Sequence, residues 1–141
     1  MIIIKNLLLY KCFSLHINIK VFFLRQQIIL LKKKERVVFS LPVIMRDTGN
    51  GPVRYDYFKN TVNVLITCGF RQFQIANLGA VGLFNDADVI LYADFPLYSL
   101  NPLSLIKQRE LGFQQQTLSP EDDKENLQKL LTDDTDLVLY Q

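Results

Sequence analysis

The amino-acid sequence predicts an α/β fold made of repeated parallel βα units. Three short apolar runs carry this prediction, since each stops at a polar residue and then opens a helix or a helix-like turn, in residues 73–79, 92–101 and 117–121. Hydrophobic residues make up 49% of the 141-residue chain and charged residues 21%, which is typical of one globular domain and excludes a disordered chain. The carboxyl ends of the strands in such units face the ligand site, so the pattern also indicates where the chemistry lies.

The first part of the chain differs from the rest in its charge. Residues 1–36 contain eight Lys or Arg and one acidic residue, whereas residues 37–141 contain eight Lys or Arg and thirteen Asp or Glu. Such asymmetry indicates two parts with different histories or partners. We therefore predict a basic, apolar N-terminal extension over residues 1–35 and a βα domain over residues 36–141.

Charged residues interrupt the apolar sequence of the extension, at Lys5, Lys11, Lys20 and Arg25. No uncharged run approaches the ~20 residues that a membrane-spanning helix needs, and the pattern of a cleavable signal peptide is absent from the sequence. Alternating apolar residues from 13 to 23 predict a strand. A basic arm that binds a membrane surface or a nucleic acid is the alternative to a lineage-specific extension.

The βα domain begins with a β-prone apolar run that predicts a strand over residues 37–44. The run ends at Arg46 and Asp47, and a loop with Gly and Pro follows over residues 48–52. A helix is predicted over residues 55–67, because four apolar residues share one face at helical spacing: Phe58, Val62, Leu65 and Ile66. Gly69 suits the position just past the end of that helix.

Further strands are predicted over residues 73–76, 89–93 and 115–118, and a fifth begins at residue 136. A short helical turn over residues 78–84 follows the first of these. Two residues typical of a helix start, Asn101 and Pro102, predict a helix that ends at Gly112. We expect three of its side chains to face inward: Leu103, Ile106 and Leu105.

The last predicted helix follows Ser119, which we expect to be its N-cap, with Glu121 and Asp122 in the first turn where acids suit the helix dipole. Its expected buried stripe is Leu127, Leu130 and Leu131. Five parallel strands joined by helices fit either an open doubly wound sheet or an incomplete (β/α)8 barrel. Because a complete barrel normally takes about 250 residues, the second architecture makes the chain a fragment.

Ordered segments of the chain resemble the U-32 peptidase family of collagenase-like proteases. The similarity rests on residues 41–47 and 68–74 together with the three runs named first, and it covers roughly residues 36–141. The resemblance implies a TIM-type (β/α)8 barrel, a hydrolase acting on peptides, and a peptide or RNA substrate, since family members are also linked to hydroxylation of RNA bases and of ubiquinone precursors. The family's cysteine-containing signature is absent from this sequence, so we expect the chain alone to be inactive.

Polar residues at the predicted strand ends are the candidate site. A carboxylate or amide there is suited to acid–base chemistry, which suggests catalytic roles for Asp47, Asn77 and Asp94. Two charged residues are candidates for substrate binding, Arg46 for an anionic group and Glu121 at the last strand end. Ser119 belongs to the same set. For each residue, turn formation or helix capping is the alternative role.

Other chemistry is not indicated by the sequence. A Ser or Cys nucleophile lacks a base, because the single histidine, His16, lies in the extension. Neither a metal site nor a cofactor is evident, and the iron–sulfur cysteines of some family members are outside the matched stretch. The two cysteines, Cys12 and Cys68, indicate free thiols and a cytoplasmic location. The alternative to an enzyme is an interaction module, whose partner is a second subunit that completes the sheet or barrel.

Overall fold

In the computed structural model, the described residues are 2–5, 34–45, 55–85 and 87–138. They form one parallel sheet with helices between its strands. The strands are β1 (Ile2–Lys5), β2 (Val37–Ser40), β3 (Gln72–Ile75), β4 (Ile90–Ala93), β5 (Phe113–Thr117) and β6 (Thr135–Asp136). The α-helices are α1 (Tyr55–Thr67), α2 (Pro102–Glu110) and α3 (Lys124–Leu130), and 3-10 helices cover Lys34–Arg36, Leu78–Phe84 and Phe95–Leu97.

The strands lie in the sheet in the same order as in the chain, β1 to β6, and all five pairings are parallel. The predicted α/β class with a parallel sheet is confirmed. A doubly wound sheet requires a reversal of strand order, and the described strands have none.

The sheet begins in the part of the chain that we assigned to the N-terminal extension. Ile2–Lys5 pairs in register with Val37–Ser40, from Ile2 opposite Val37 to Lys5 opposite Ser40. The strand predicted from residue 13 to residue 23 lies outside the described residues, as do Arg46 and Asp47. Among the described helices, none is long and apolar enough to cross a membrane.

Strand β2 is shorter than the predicted run of residues 37–44. Its ladder continues through one more bond, from the amide of Leu41 to the carbonyl of Gln74 at 2.9 Å. The next residue is Pro42, whose missing N–H would have faced the β1 side of the strand, because alternate residues of a parallel strand bond to the same neighbour.

Helix α1 has the predicted bounds. Val62 is buried, and the three other residues of its predicted apolar face pack against the same core: Phe58, Leu65 and Ile66. Gly69 follows the helix with a φ of +90°, a left-handed conformation in which a side chain is strained. A Cβ there would also lie 2.9 Å from the Lys34 Nζ atom, a contact that the flexible lysine side chain can relieve by moving, so the positive φ is what favours glycine at this helix end.

The main core covers one face of the sheet. Strand register places four apolar residues side by side across β2 to β5, namely Phe39, Phe73, Leu91 and Phe113. All four are buried and pack with Val62 of α1 in one cluster, and the Phe39 and Phe73 rings are 6.1 Å apart. A second cluster joins Leu118 to α2 and α3 through Leu105, Leu130 and Leu127.

Helix α2 begins as predicted, but two of its three expected inward residues face solvent. Asn101 is the N-cap and accepts a hydrogen bond from the Ser104 amide at 2.9 Å. Leu103 is 73% exposed and Ile106 is also exposed, whereas Leu105 is buried as expected. The buried side of the helix instead carries Leu105, which packs against Leu118, and Gln108, which accepts a 3.0 Å hydrogen bond from the Ser99 hydroxyl.

Helix α3 starts later than predicted. Its N-cap is Asp123, which accepts a hydrogen bond from the Asn126 amide at 2.7 Å, so the expectation that Ser119 caps the helix is wrong. The residues between Ser119 and Asp123 form a turn instead. Leu130 is buried and Leu127 packs beside it, as expected, but Leu131 follows the helix as its C-cap and is half exposed.

Candidate functional site at the carboxyl edge of the sheet

The carboxyl ends of the parallel strands share one edge of the sheet. Asn77 follows β3, Asp94 follows β4 and Ser119 follows β5, so three of the predicted site residues lie along this edge. The structure thus brings together the residues at the ends of adjacent strands. Neighbouring strands of a sheet are about 4.8 Å apart.

Asp94 is a buried acid at the centre of the edge, with 6% of its surface exposed. Its amide donates to the Ile75 carbonyl at 2.8 Å, which extends the β3–β4 ladder by one residue. Its Oδ1 atom accepts from the Phe95 amide at 2.9 Å and caps the Phe95–Leu97 turn. Within the described part of the chain its second oxygen, Oδ2, has no hydrogen-bond partner, so the carboxyl group is positioned by one oxygen and has the other to offer.

Asn77 uses both ends of its amide for structure. Oδ1 accepts from the Gly79 amide at 2.8 Å, and Nδ2 donates to the Val43 carbonyl at 2.8 Å. The side chain therefore caps the Leu78–Phe84 helix and ties the segment after β2 to the end of β3. These two bonds account for an asparagine at this position.

Ser119 and Glu121 differ in exposure although they are two residues apart. Ser119 is fully buried and its Oγ atom accepts from the Glu121 amide at 3.4 Å, whereas the Glu121 side chain is exposed. No histidine occurs in residues 34–45, 55–85 or 87–138, so nothing there activates the Ser119 hydroxyl. The exposed thiol of Cys68 follows α1, at the opposite edge of the sheet.

A polar sheet face, which the sequence analysis did not identify, adjoins this edge. Most residues of β2 to β5 that alternate with the core row carry amide or hydroxyl groups: Ser40, Gln72, Gln74, Tyr92, Gln115 and Thr117. Val38 and Ile90, which pair with Gln72, are the apolar residues of the same face. We call the polar residues, with Asp94 and Asp136, the polar face. Its signal in the sequence was the alternation of Gln72 and Gln74 around Phe73, which is typical of a strand with unlike faces.

An irregularity in β5 decides which of its residues join the polar face. Leu91 pairs with Phe113 but Tyr92 pairs with Gln115, so Gln114 is an extra residue in the β5 strand. Beyond this bulge, Gln115 and Thr117 lie on the face of Tyr92. Buried Gln116 and Leu118 lie on the helix-covered face.

Register sorts the polar face into two rows. The first row consists of Ser40, Gln74, Tyr92 and Gln115. The second row lies one step nearer the carboxyl edge and consists of Asp94, Thr117 and Asp136, because Ala93 pairs with Gln116 and Thr117 pairs with Asp136. Asp94 is therefore continuous with the polar face and is not an isolated cap.

Hydrogen bonds connect much of this face. The Tyr92 hydroxyl donates to Gln72 Oε1 at 3.0 Å, and Gln72 Nε2 donates to the Glu35 carbonyl at 2.6 Å. Gln115 Nε2 donates to Asp136 Oδ1 at 3.2 Å. Burial, and secondarily the negative charge of Asp136, raises the pKa of Tyr92 above its ordinary value of 10.0.

The described residues contain no group of three or more His, Cys, Asp or Glu side chains arranged to hold a metal ion. What the edge offers chemically is hydrogen bonding together with the carboxyl group of Asp94. No family model, curated protein or solved structure matches the chain.

Proposed function

We propose that the chain supplies the peptide-binding edge of a U-32-like, collagenase-like peptidase domain. The observation that carries the proposal is the buried carboxyl group of Asp94 at the shared carboxyl edge of sequential parallel strands. Ligands of parallel α/β sheets bind at this edge. A carboxylate oxygen without a partner there is suited to accept an N–H group of a bound peptide.

The proposed architecture is a TIM-type (β/α)8 barrel, to which the described residues contribute six strands. Two features support it: the strand order has no reversal, and helices α1, α2 and α3 all pack on the face that carries Phe73 and Leu118. In a closed barrel the helices surround the sheet and the opposite face becomes the interior. The polar face would then line that interior beside Asp94.

Peptide binding without cleavage is the function that we propose for this chain alone. Peptide hydrolysis requires an activated nucleophile or water, and the described edge offers Asp94 without a histidine or a metal cluster beside it. In this proposal Asp94 contacts the substrate, Asn77 fixes the edge, and Glu121 lies at its rim. Arg46 and Asp47 stay predictions, as groups that bind and act on the same peptide.

The test compares two Asp→Asn substitutions at helix caps. Asp94→Asn keeps an oxygen for the Phe95 amide but removes the carboxylate, and Asp123→Asn makes the same change at the exposed cap of α3. Binding of a short fluorescein-labelled peptide of alternating Ala and Gly is measured by fluorescence anisotropy. We expect Asp94→Asn to weaken binding at least tenfold, since a hydrogen bond to a charged group is worth about 1.5–3 kcal/mol.

Two outcomes would contradict this proposal. One is a wild-type chain that does not bind the peptide, and the other is equal loss of binding in Asp94→Asn and Asp123→Asn. Incubation with gelatin completes the test, because the proposal expects intact gelatin. Cleavage that Asp94→Asn abolishes would make Asp94 a catalytic residue and would overturn the assignment of binding without cleavage.

A second candidate function is docking to a subunit that completes the sheet. Two exposed apolar residues, Val43 and Ile44, follow β2 at the carboxyl edge, and β6 is a short strand without a further neighbour among the described strands. Docking predicts an assembly whose mass depends on concentration and falls when Ile44 is replaced by Ser. Sedimentation of a monomer at all concentrations would remove this candidate.

A further inference from the structure

Gln74 has a buried polar atom without a hydrogen-bond partner on the polar face. The residue is 7% exposed, and the atom is its Oε1 oxygen. A buried carbonyl without a donor destabilises a protein, so an amide in this state calls for an explanation from its surroundings. Its neighbours in the row, Ser40 and Tyr92, are only partly buried.

Two other buried oxygens share this lack of a donor but have different surroundings. Gln116 Oε1 lies on the helix-covered face, where Gln116 Nε2 donates to the Phe113 carbonyl at 3.3 Å. The Tyr57 hydroxyl belongs to α1. Gln74 alone among the three lies in a row of polar side chains that leads to Asp94.

The chemistry of the row fits a ligand that presents amide groups. Gln side chains both donate and accept, as do the hydroxyls of Ser40 and Tyr92, so the row complements the N–H and C=O groups of a peptide main chain. The terminal torsion of a Gln side chain has broad preferences, which lets Oε1 turn toward a ligand at low cost.

The charge of the face selects against a nucleic acid. From β2 to β6 it carries two carboxyl groups, those of Asp94 and Asp136, and the one basic residue that register adds among the described strands is Lys5 of β1, opposite Ser40. Proteins bind phosphate backbones through Lys and Arg, and two acids at the edge oppose a polyanion. An uncharged main chain meets no such repulsion.

We propose that the row Ser40, Gln74, Tyr92 and Gln115 binds the main chain of an extended peptide, with Gln74 Oε1 accepting one of its N–H groups. The inference rests on the proposed function, because the peptide that reaches Asp94 continues over this row. Asp94 anchors the peptide at the edge, and the row recognises its main chain regardless of side-chain identity. Gln74 is thus a binding residue that the proposed function did not assign.

The test replaces each of two glutamines by methionine in the full chain. Gln74→Met keeps the side-chain size and removes the unpartnered carbonyl, and Gln116→Met makes the matched change on the helix-covered face. We expect Gln74→Met to bind the labelled Ala-Gly peptide about five- to tenfold more weakly, since the variant loses one hydrogen bond to the ligand. Its melting temperature should not fall, because the substitution removes a buried oxygen that has no donor in the free protein. Gln116→Met is expected to bind as wild type does.

A second measurement does not depend on any variant. The same peptide with alternate main-chain nitrogens methylated lacks half of its N–H donors, and we expect wild type to bind it about tenfold more weakly. Equal binding of the two peptides, or wild-type affinity in Gln74→Met, would overturn the inference. A melting temperature that falls along with the affinity of Gln74→Met would show a structural role and would overturn it too.

The outcomes separate this inference from the proposed function. If Asp94→Asn weakens binding while Gln74→Met does not, the proposed function stands and the row is not the binding surface. If the wild-type chain binds no peptide, both fail. Competition by a labelled single-stranded RNA that also depends on Gln74 would assign the row to RNA in place of a peptide.

Discussion

The two faces of the parallel sheet carry opposite kinds of side chain although they alternate along the same strands. One face presents Phe39, Phe73, Leu91 and Phe113 to the helices, and the other presents Ser40, Gln74, Tyr92 and Gln115. Sheets of parallel strands usually bury apolar residues on both faces. The difference shows that the helices pack on one face only, while the other face carries mostly polar groups.

The two faces also differ in how completely their side chains are packed or hydrogen-bonded. On the helix-covered face, the Phe73 ring contacts Phe39 and Phe84 and is completely buried. On the polar face, Tyr92 and Gln72 satisfy one another, whereas Gln74 keeps a buried oxygen without a donor. Stability is therefore concentrated on the first face, and unmet hydrogen-bonding capacity is found on the second.

The largest effect is expected from Phe73→Ala, which removes the centre of the apolar row. A buried Phe replaced by Ala costs about 3–5 kcal/mol of unfolding free energy, because burial and packing are both lost. Urea denaturation followed by circular dichroism measures the loss. Leu103→Ala is the control, since 73% of Leu103 is exposed and a change within about 0.5 kcal/mol is expected. Similar losses of unfolding free energy in both variants would contradict the assignment of the core to this face.

A smaller effect is expected from Gln72→Ala, in the same strand but on the polar face. This variant loses the hydrogen bond to the Glu35 carbonyl and the one from the Tyr92 hydroxyl, both partly open to solvent. We expect a loss of about 1 kcal/mol in the same denaturation experiment. A loss as large as that of Phe73→Ala would mean that the two faces contribute equally to stability.

The smallest effect is expected in the ionisation of Tyr92. Burial comes first among the causes that raise its pKa and Asp136 second, so Asp136→Asn should lower this pKa while leaving it above 10.0. NMR of labelled tyrosine measures the titration, with Tyr92→Phe to identify the signal. Because the folded pKa is raised, Tyr92 contributes stability below pH 10.0 that is lost as the pH rises through the folded pKa. An unchanged titration in Asp136→Asn would remove Asp136 from the environment of Tyr92.

Local signals in the sequence predicted the elements that local chemistry determines. Helix α1 has the predicted bounds, Gly69 has a positive φ after it, and Asn101 caps α2. Each of these depends on residues within one or two turns. The parallel sheet followed from the spacing of apolar runs, and its confirmed class needed no knowledge of distant contacts.

Long-range contacts decided what the sequence could not predict. The rotation of α2 buries Leu105 against Leu118 and Gln108 against Ser99, so Leu103 and Ile106 were assigned to the wrong side. The polar face depends on the bulge at Gln114, because without it Gln115 and Thr117 would lie on the other side of the sheet. Among the candidate site residues, Asp94 was predicted from its position after a strand, whereas Gln74 was not predicted because a buried, unpartnered oxygen is visible only in three dimensions.

The sequential strand order has a consequence for how the protein is made. Each described strand pairs with the next one along the chain, so a strand emerging from the ribosome finds its partner already synthesised. Chains whose contacts are near in sequence close smaller loops and fold faster than chains that pair distant segments. The sheet can therefore grow from β1 toward β6 during translation, and Asp94 follows the fourth strand, before the fifth has been made.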